Sequence, residues 1–158
     1  MQLVLTAAAR KDQFDSAAAL GAHIVDLRGR QHIFGQAMDM KYLVMGGRIN
    51  PMVGKVGQAL SIKPMLKFEG GAVEQAGLVR SVGKARAFYL EQLQKYPPDR
   101  SVPMLVAAAD DPAAAESERD SLLDSGVALP EIQLAEIGAT VGTYVGPGLI
   151  AIAWIAEA

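Results

Sequence analysis

Residues 61–80, SIKPMLKFEGGAVEQAGLVR, decide the fold. Ile62, Pro64, Leu66 and Phe68 alternate with Lys63, Lys67 and Glu69, the period-two pattern of a strand with one buried face. Gly70 and Gly71 follow as a pair able to take positive φ, so the segment predicts a hairpin with a two-residue turn. Pro64 has no N–H to give to a ladder, which places its strand at an edge or puts a bulge there.

Downstream of the hairpin, Ser81 caps a helix that carries Val82, Ala85, Phe88, Tyr89, Leu93 and Tyr96 on one stripe, and Pro97 with Pro98 stops it. SVPMLVAAA reads as a strand, Asp111 and Pro112 open a helix that closes at Gly126, and EIQLAEIG and GLIAIAWIA are the last strands. In the final strand, Ile150, Ile152 and Trp154 fall on one side, and Leu149, Ala151, Ala153 and Ile155 on the other. The predicted class is α+β: a mixed, mainly antiparallel sheet, with helices over residues 81–96 and 112–125 packed on it.

Upstream, residues 2–9 form a short apolar helix, and Asp15 or Ser16 caps a second one bearing Ala18, Leu20, Ala22, Ile24, Val25 and Leu27. QHIFGQAM is a short strand. DMKYLVMGG is a brief helix with Asp39 as N-cap and Gly46 or Gly47 as its left-handed stop, and Arg48 emerges directly after it. Pro51 opens a further short helix that ends near Leu60.

Composition narrows the chemistry. The chain has 158 residues, one domain's worth, with a net charge of −2 and no cysteine. There is no global basic field for nucleic acid, and neither a disulfide nor a thiol nucleophile. His23 and His32 stand too far apart for a local metal motif, and each reads as a structural residue. No serine lies in a GxSxG setting, so neither hydrolytic nor metal chemistry is supported and no enzyme is expected. GPGLIA matches a dinucleotide fingerprint only as text, because it enters an apolar strand with no helix after it, and PMVGKVG lacks the flanking residues of a phosphate loop. The apolar runs 3–9 and 149–156 fall short of the roughly 20 residues a membrane span needs, so a soluble, cytoplasmic protein is expected.

Two features stand apart. Arg48 follows a stiff double-glycine stop, and its planar guanidinium suits a bidentate grip on a carboxylate or phosphate; it reads equally as a surface residue or a cap of the preceding helix. GTYVGPG, residues 142–148, reads as a rigid turn at a strand mouth that either holds a ligand or is an ordinary β-turn.

Together these features resemble the DegV family, whose members carry YL, two variable residues and GGRI, then L-x-IKP, then VR before a helix, and a C-terminal GTHxGPG. Here the matching residues are Tyr42 and Leu43, Gly46 to Ile49, Leu60 with Ile62 to Pro64, Val79 with Arg80, and Gly142, Thr143, Gly146, Pro147 and Gly148. The resemblance implies a bacterial protein that holds a long-chain fatty acid in a buried tunnel, with no cofactor and no chemistry of its own, and presents the carboxylate to a fatty acid kinase. It implies a ligand site at Arg48, Thr143, Tyr144, Gly146 and Gly148. Tyr144 replaces the family's histidine, a neutral donor in place of a group that can become a cation. The resemblance further implies that residues 1–30 are a helical tail of the family's N-terminal domain, and that residues 31–158 are the C-terminal lipid-binding domain. The alternative is a remnant that binds no lipid and self-associates through the face a covering domain would hide.

Overall fold

The structure, a computed structural model, describes residues 1–49 and 62–158. Helix α1 (Gln2–Arg10) leads through a single 3-10 turn into α2 (Ala17–Gly29), then β1 (Gln31–Gln36) and α3 (Met40–Met45). After the hairpin strands β2 (Lys63–Glu69) and β3 (Ala72–Val79) come α4 (Val82–Lys95), β4 (Met104–Ala108), α5 (Pro112–Leu123), β5 (Ile132–Glu136), α6 (Ala139–Val145) and β6 (Ile150–Ile155). The helix expected from Pro51 to Leu60 lies outside the described residues.

Among the described residues, six strands form one sheet in the order β3-β2-β1-β6-β4-β5. Only β4 and β5 run parallel, joined by α5 as a crossover; the other described pairs are antiparallel. The α+β class expected from the sequence is the one observed. Gly70 and Gly71 take φ of +60° and +84°, the left-handed pair of a tight hairpin turn. Strand β2 is interior rather than an edge, and the proline is accommodated by the bulge alternative: the register to β3 shifts between Met65 and Leu66. Pro64 still contributes its carbonyl, which accepts from the Ala37 amide at 3.1 Å.

The helix caps follow local chemistry. Ser16, Ser81 and Asp111 each accept a backbone N–H from the first turn of the helix they open, the pairing that satisfies otherwise orphaned donors.

Alternation along the strands divides the core. One face, covered by α4 and α5, buries Phe34, Met65, Tyr89, Leu93, Met104, Val106, Ile152 and Trp154 as one cluster. Trp154 donates its indole N–H to the Tyr96 carbonyl at 2.7 Å, and the Tyr89 hydroxyl donates to the Ile150 carbonyl at 2.9 Å, so both buried rings have their polar atoms satisfied. Burial pushes the Tyr89 phenol far above its ordinary pKa, which keeps it neutral.

Among the described residues, the other face is covered at its two ends. At one end Leu27 of α2 packs on Val102 and Ile155, and Gln2 of α1 donates to the Pro103 carbonyl at 2.7 Å. At the other, α3 and α6 pack their own Leu43 and Val145 with Ala37, Leu66, Ala109 and Leu149. Between them a row of small residues crosses four strands in register: Gly35 pairs with Ala151, Ala151 with Ala107, and Ala107 with Ala135. The three alanines are half-buried.

Candidate functional site

Helix α3 is short and is held by its ends. The Asp39 carboxylate accepts from the Lys41 amide at 2.8 Å. At the other end Gly46 stays right-handed and Gly47, with φ of +69°, reverses the chain, so Gly47 is the left-handed stop. The Arg48 amide then returns to the Leu43 carbonyl at 2.8 Å. That reversal aims the Arg48 side chain back over the helix end, where Nη1 donates to the Gly46 carbonyl at 2.6 Å.

The second half of the site departs from the sequence expectation. Residues 142–145 of GTYVGPG are not a turn but the last part of α6, and only Gly146, Pro147 and Gly148 form the turn. A helix this short gains little from propensity; it forms because Val145 is buried in the cluster with Leu43 and Leu149. Gly146 and Gly148 have φ of +79° and +77°, and the Gly148 amide donates to the Ala109 carbonyl at 2.7 Å, which ties the turn to the end of β4.

The two helix ends interlock through tyrosine on glycine. The Tyr144 ring lies on Gly46, where a Cβ would stand 2.6 Å from Cδ1, and the Tyr42 ring fills the space a Cβ on Gly146 would need. Arg48 completes the contact, with Cζ 4.1 Å from the centroid of Tyr144. Arg48 and Tyr144 are thus brought together. Gly146 and Gly148 shape the turn beside them, with Met38 packed close on Gly148. Thr143 is exposed, and its hydroxyl donates to the Ala139 carbonyl of its own helix at 2.8 Å. Tyr42, recognised in the sequence only as part of a motif, and Gly46, read there also as a candidate helix stop, prove to be the packing partners of the loop.

Electrostatically, the site is cationic and open. Arg48 is exposed, and Nη1 is its only nitrogen with a protein hydrogen-bond acceptor among the described residues. The guanidinium retains donors for an incoming anion, and the ring and carbonyl behind it limit the entropy lost on binding. No group of histidine and carboxylate side chains able to hold a metal ion occurs among the described residues.

Among the described residues, a sheet with one covered face, a partly covered face floored by small residues, and an arginine clamped at the margin make up this region. Residues 2–157 match the family described as "Uncharacterised protein, DegV family", and the chain belongs to that family. A DegV domain-containing protein of Streptococcus pneumoniae is 32% identical over 146 residues, 92% of this chain and 51% of that protein. Among solved structures, a fatty-acid-binding DegV family protein from Thermus thermophilus aligns over 98% of this chain and 56% of its own, with a TM-score of 0.81 and 27% identity. The Fatty Acid Kinase (Fak) B3 protein of Streptococcus pneumoniae, loaded with linoleic acid, shares the fold with a TM-score of 0.82 at 17% identity, over 98% of this chain and 55% of that one. The chain spans about half the length of the relatives it matches. No helix among the described residues is long and apolar enough to cross a membrane.

Proposed function

We propose that this chain is the C-terminal, lipid-binding part of a fatty-acid carrier: Arg48 holds the carboxylate and the acyl chain lies along the half-covered sheet face. The observation that carries this reading is the clamped Arg48, held by the Gly46 carbonyl and the Tyr144 ring with its other donors unused among the described residues. A fatty acid needs one anion grip and a long apolar bed, and the row Gly35, Ala151, Ala107 and Ala135 has the low relief that a methylene chain requires.

Tyr144 acts as the rigid back of the arginine and as a neutral donor to the head group, and Gly146 and Gly148 let the backbone approach it. Thr143 contributes through its helix, because its hydroxyl is already bonded. The family's additional length would supply the facing wall, with residues 1–30 as the hinge-side tail of that half and residues 31–158 as the lipid domain. By likeness to the pneumococcal protein, the bound acid is presented to a fatty acid kinase in the cytoplasm, and this chain is a carrier rather than a catalyst. The alternative, a self-associating remnant, draws on the exposed apolar residue Met1 and on Val4, Leu5 and Val25 of the first two helices.

Calorimetric titration with oleate, together with mass spectrometry of co-purified lipid, tests the reading. Saturable one-to-one binding is expected, weakened about 30-fold or more by Arg48→Ala, on the scale of removing one partner of a charge pair. A folded protein that binds no oleate and dimerises with rising concentration favours the alternative.

A further inference from the structure

Between α4 and the β2–β3 hairpin, on the sheet face that α4 and α5 cover, lies an open-mouthed cleft of about 380 Å3. The acyl site proposed above is on the other face. The floor of this cleft is aromatic. His32 stacks on Tyr96 with centroids 4.2 Å apart and on Trp154 at 5.3 Å, and Phe34 meets Phe88 edge-on at 5.6 Å. Gln75 of β3 and Gln92 of α4 line it from opposite sides.

Hydrogen-bonding groups line this space, His32 and Gln92 half-buried and Gln75 exposed. Among the described residues, neither the His32 ring nor the carboxamides of Gln75 and Gln92 have a hydrogen-bond partner, although His32 and Gln92 are half-buried. Burial pushes the His32 imidazole below its ordinary pKa, against an opposing pull from Glu69, so the ring offers one N–H and one lone pair at neutral pH. Each carboxamide adds donors and an acceptor.

The charges at the rim are mostly engaged. Lys67 bonds Glu69 at 2.6 Å and Glu74 at 3.1 Å, and Lys95 rests on the Tyr96 ring at 5.0 Å. The volume is at the small end of the range for small-molecule sites, roughly 300–1,000 Å3. Aromatic surface, opposed amides and little free charge together select a flat, uncharged ring with donors and acceptors on its edge.

We propose that this cleft is a second ligand site, for a neutral planar heteroaromatic group of the nucleobase kind, separate from the acyl site. The ring stacks against the Phe88 and His32 side of the cleft while Gln75 and Gln92 bond its edge. An aliphatic carboxylate has neither the flat face nor the paired edge this space rewards.

Trp154 is the only tryptophan in the chain and stacks behind the His32 ring, so its emission reports occupancy through that ring. The test is a titration of the native chain with adenosine, read by Trp154 fluorescence and by the side-chain amide signals of Gln75 and Gln92 in 1H–15N spectra. A saturable change in both is expected. Gln92→Ala should weaken adenosine about five- to tenfold and leave oleate binding and the circular dichroism spectrum unchanged. Three results would overturn the proposal: no saturable change in the folded protein, equal binding of phenol, or the same amide shifts on adding oleate. Because oleate binding is read separately, loss of the acyl reading would leave this test intact.

Discussion

The guanidinium of Arg48 lies over the ring of Tyr144, with Cζ 4.1 Å from its centroid, while the same group bonds back to the Gly46 carbonyl. One support comes from the arginine's own helix end and the other from α6, so the pair joins two elements far apart in the sequence. A double-mutant cycle with Arg48→Met and Tyr144→Leu, followed by urea unfolding, should show a coupling of about 0.5–1 kcal/mol, the scale of an exposed cation–π contact. Strictly additive single changes would mean that the ring and the cation are neighbours without attraction.

Gly146 carries two constraints at once. Its φ of +79° and ψ of 172° lie in a region essentially confined to glycine, and the Tyr42 ring occupies the place of a Cβ. Gly146→Ala should therefore cost about 3 kcal/mol or more in urea unfolding, of which roughly 1–3 kcal/mol is backbone strain. In a Tyr42→Ala background only the strain should remain. Gly47 has φ of +69°, but no described atom lies within 4 Å of where its Cβ would stand, so Gly47→Ala should cost only about 1 kcal/mol.

The row of small residues predicts a ligand effect without a folding effect. Ala151 sits between Gly35 and Ala107 on the half-covered face. Ala151→Trp should place an indole in the acyl path and abolish oleate binding, while the circular dichroism spectrum keeps its α+β shape. Unchanged oleate affinity in the folded variant would move the acyl chain elsewhere.

What could be read from the chain alone divides along physical lines. The hairpin was legible because its determinants are local: alternation over 62–69 and two glycines at the turn. The two-sided last strand was legible for the same reason, and Ile152 and Trp154 do enter the large cluster while Leu149 joins the other face. Helix α6 was not legible. Gly142 and a seven-residue length argue against a helix locally, and the burial of Val145 that overrides them is a tertiary fact. Likewise, the row from Gly35 to Ala135 exists only through strand register, which no single segment encodes. Arg48 and Tyr144 could be named from the family motif, but the tyrosine-on-glycine exchange with Tyr42 and Gly46 required the packed structure.

His32 gives the chain a pH dependence whose sign is fixed. Burial beside Tyr96 and Trp154 holds its pKa below the ordinary histidine value, while Glu69 pulls the other way; Lys67 and Lys95 also line the cleft that it faces. As pH falls, the unfolded chain takes up the proton first. Its contribution to stability is therefore complete above about pH 6.5 and is lost as pH drops through that value toward the folded pKa. Glu118 works in the opposite direction. Burial raises its carboxyl above the ordinary range, and Arg86, 3.1 Å away, opposes the rise, so the folded state holds that proton more readily. The wild-type curve is a sum of such terms, and comparison with His32→Phe, which keeps a ring against Tyr96, isolates one of them. Thermal unfolding between about pH 7.5 and 5.5 should show the wild type losing stability relative to His32→Phe, with the gap opening only below about pH 6.5. Parallel curves would show that the imidazole titrates alike in the folded and unfolded chain.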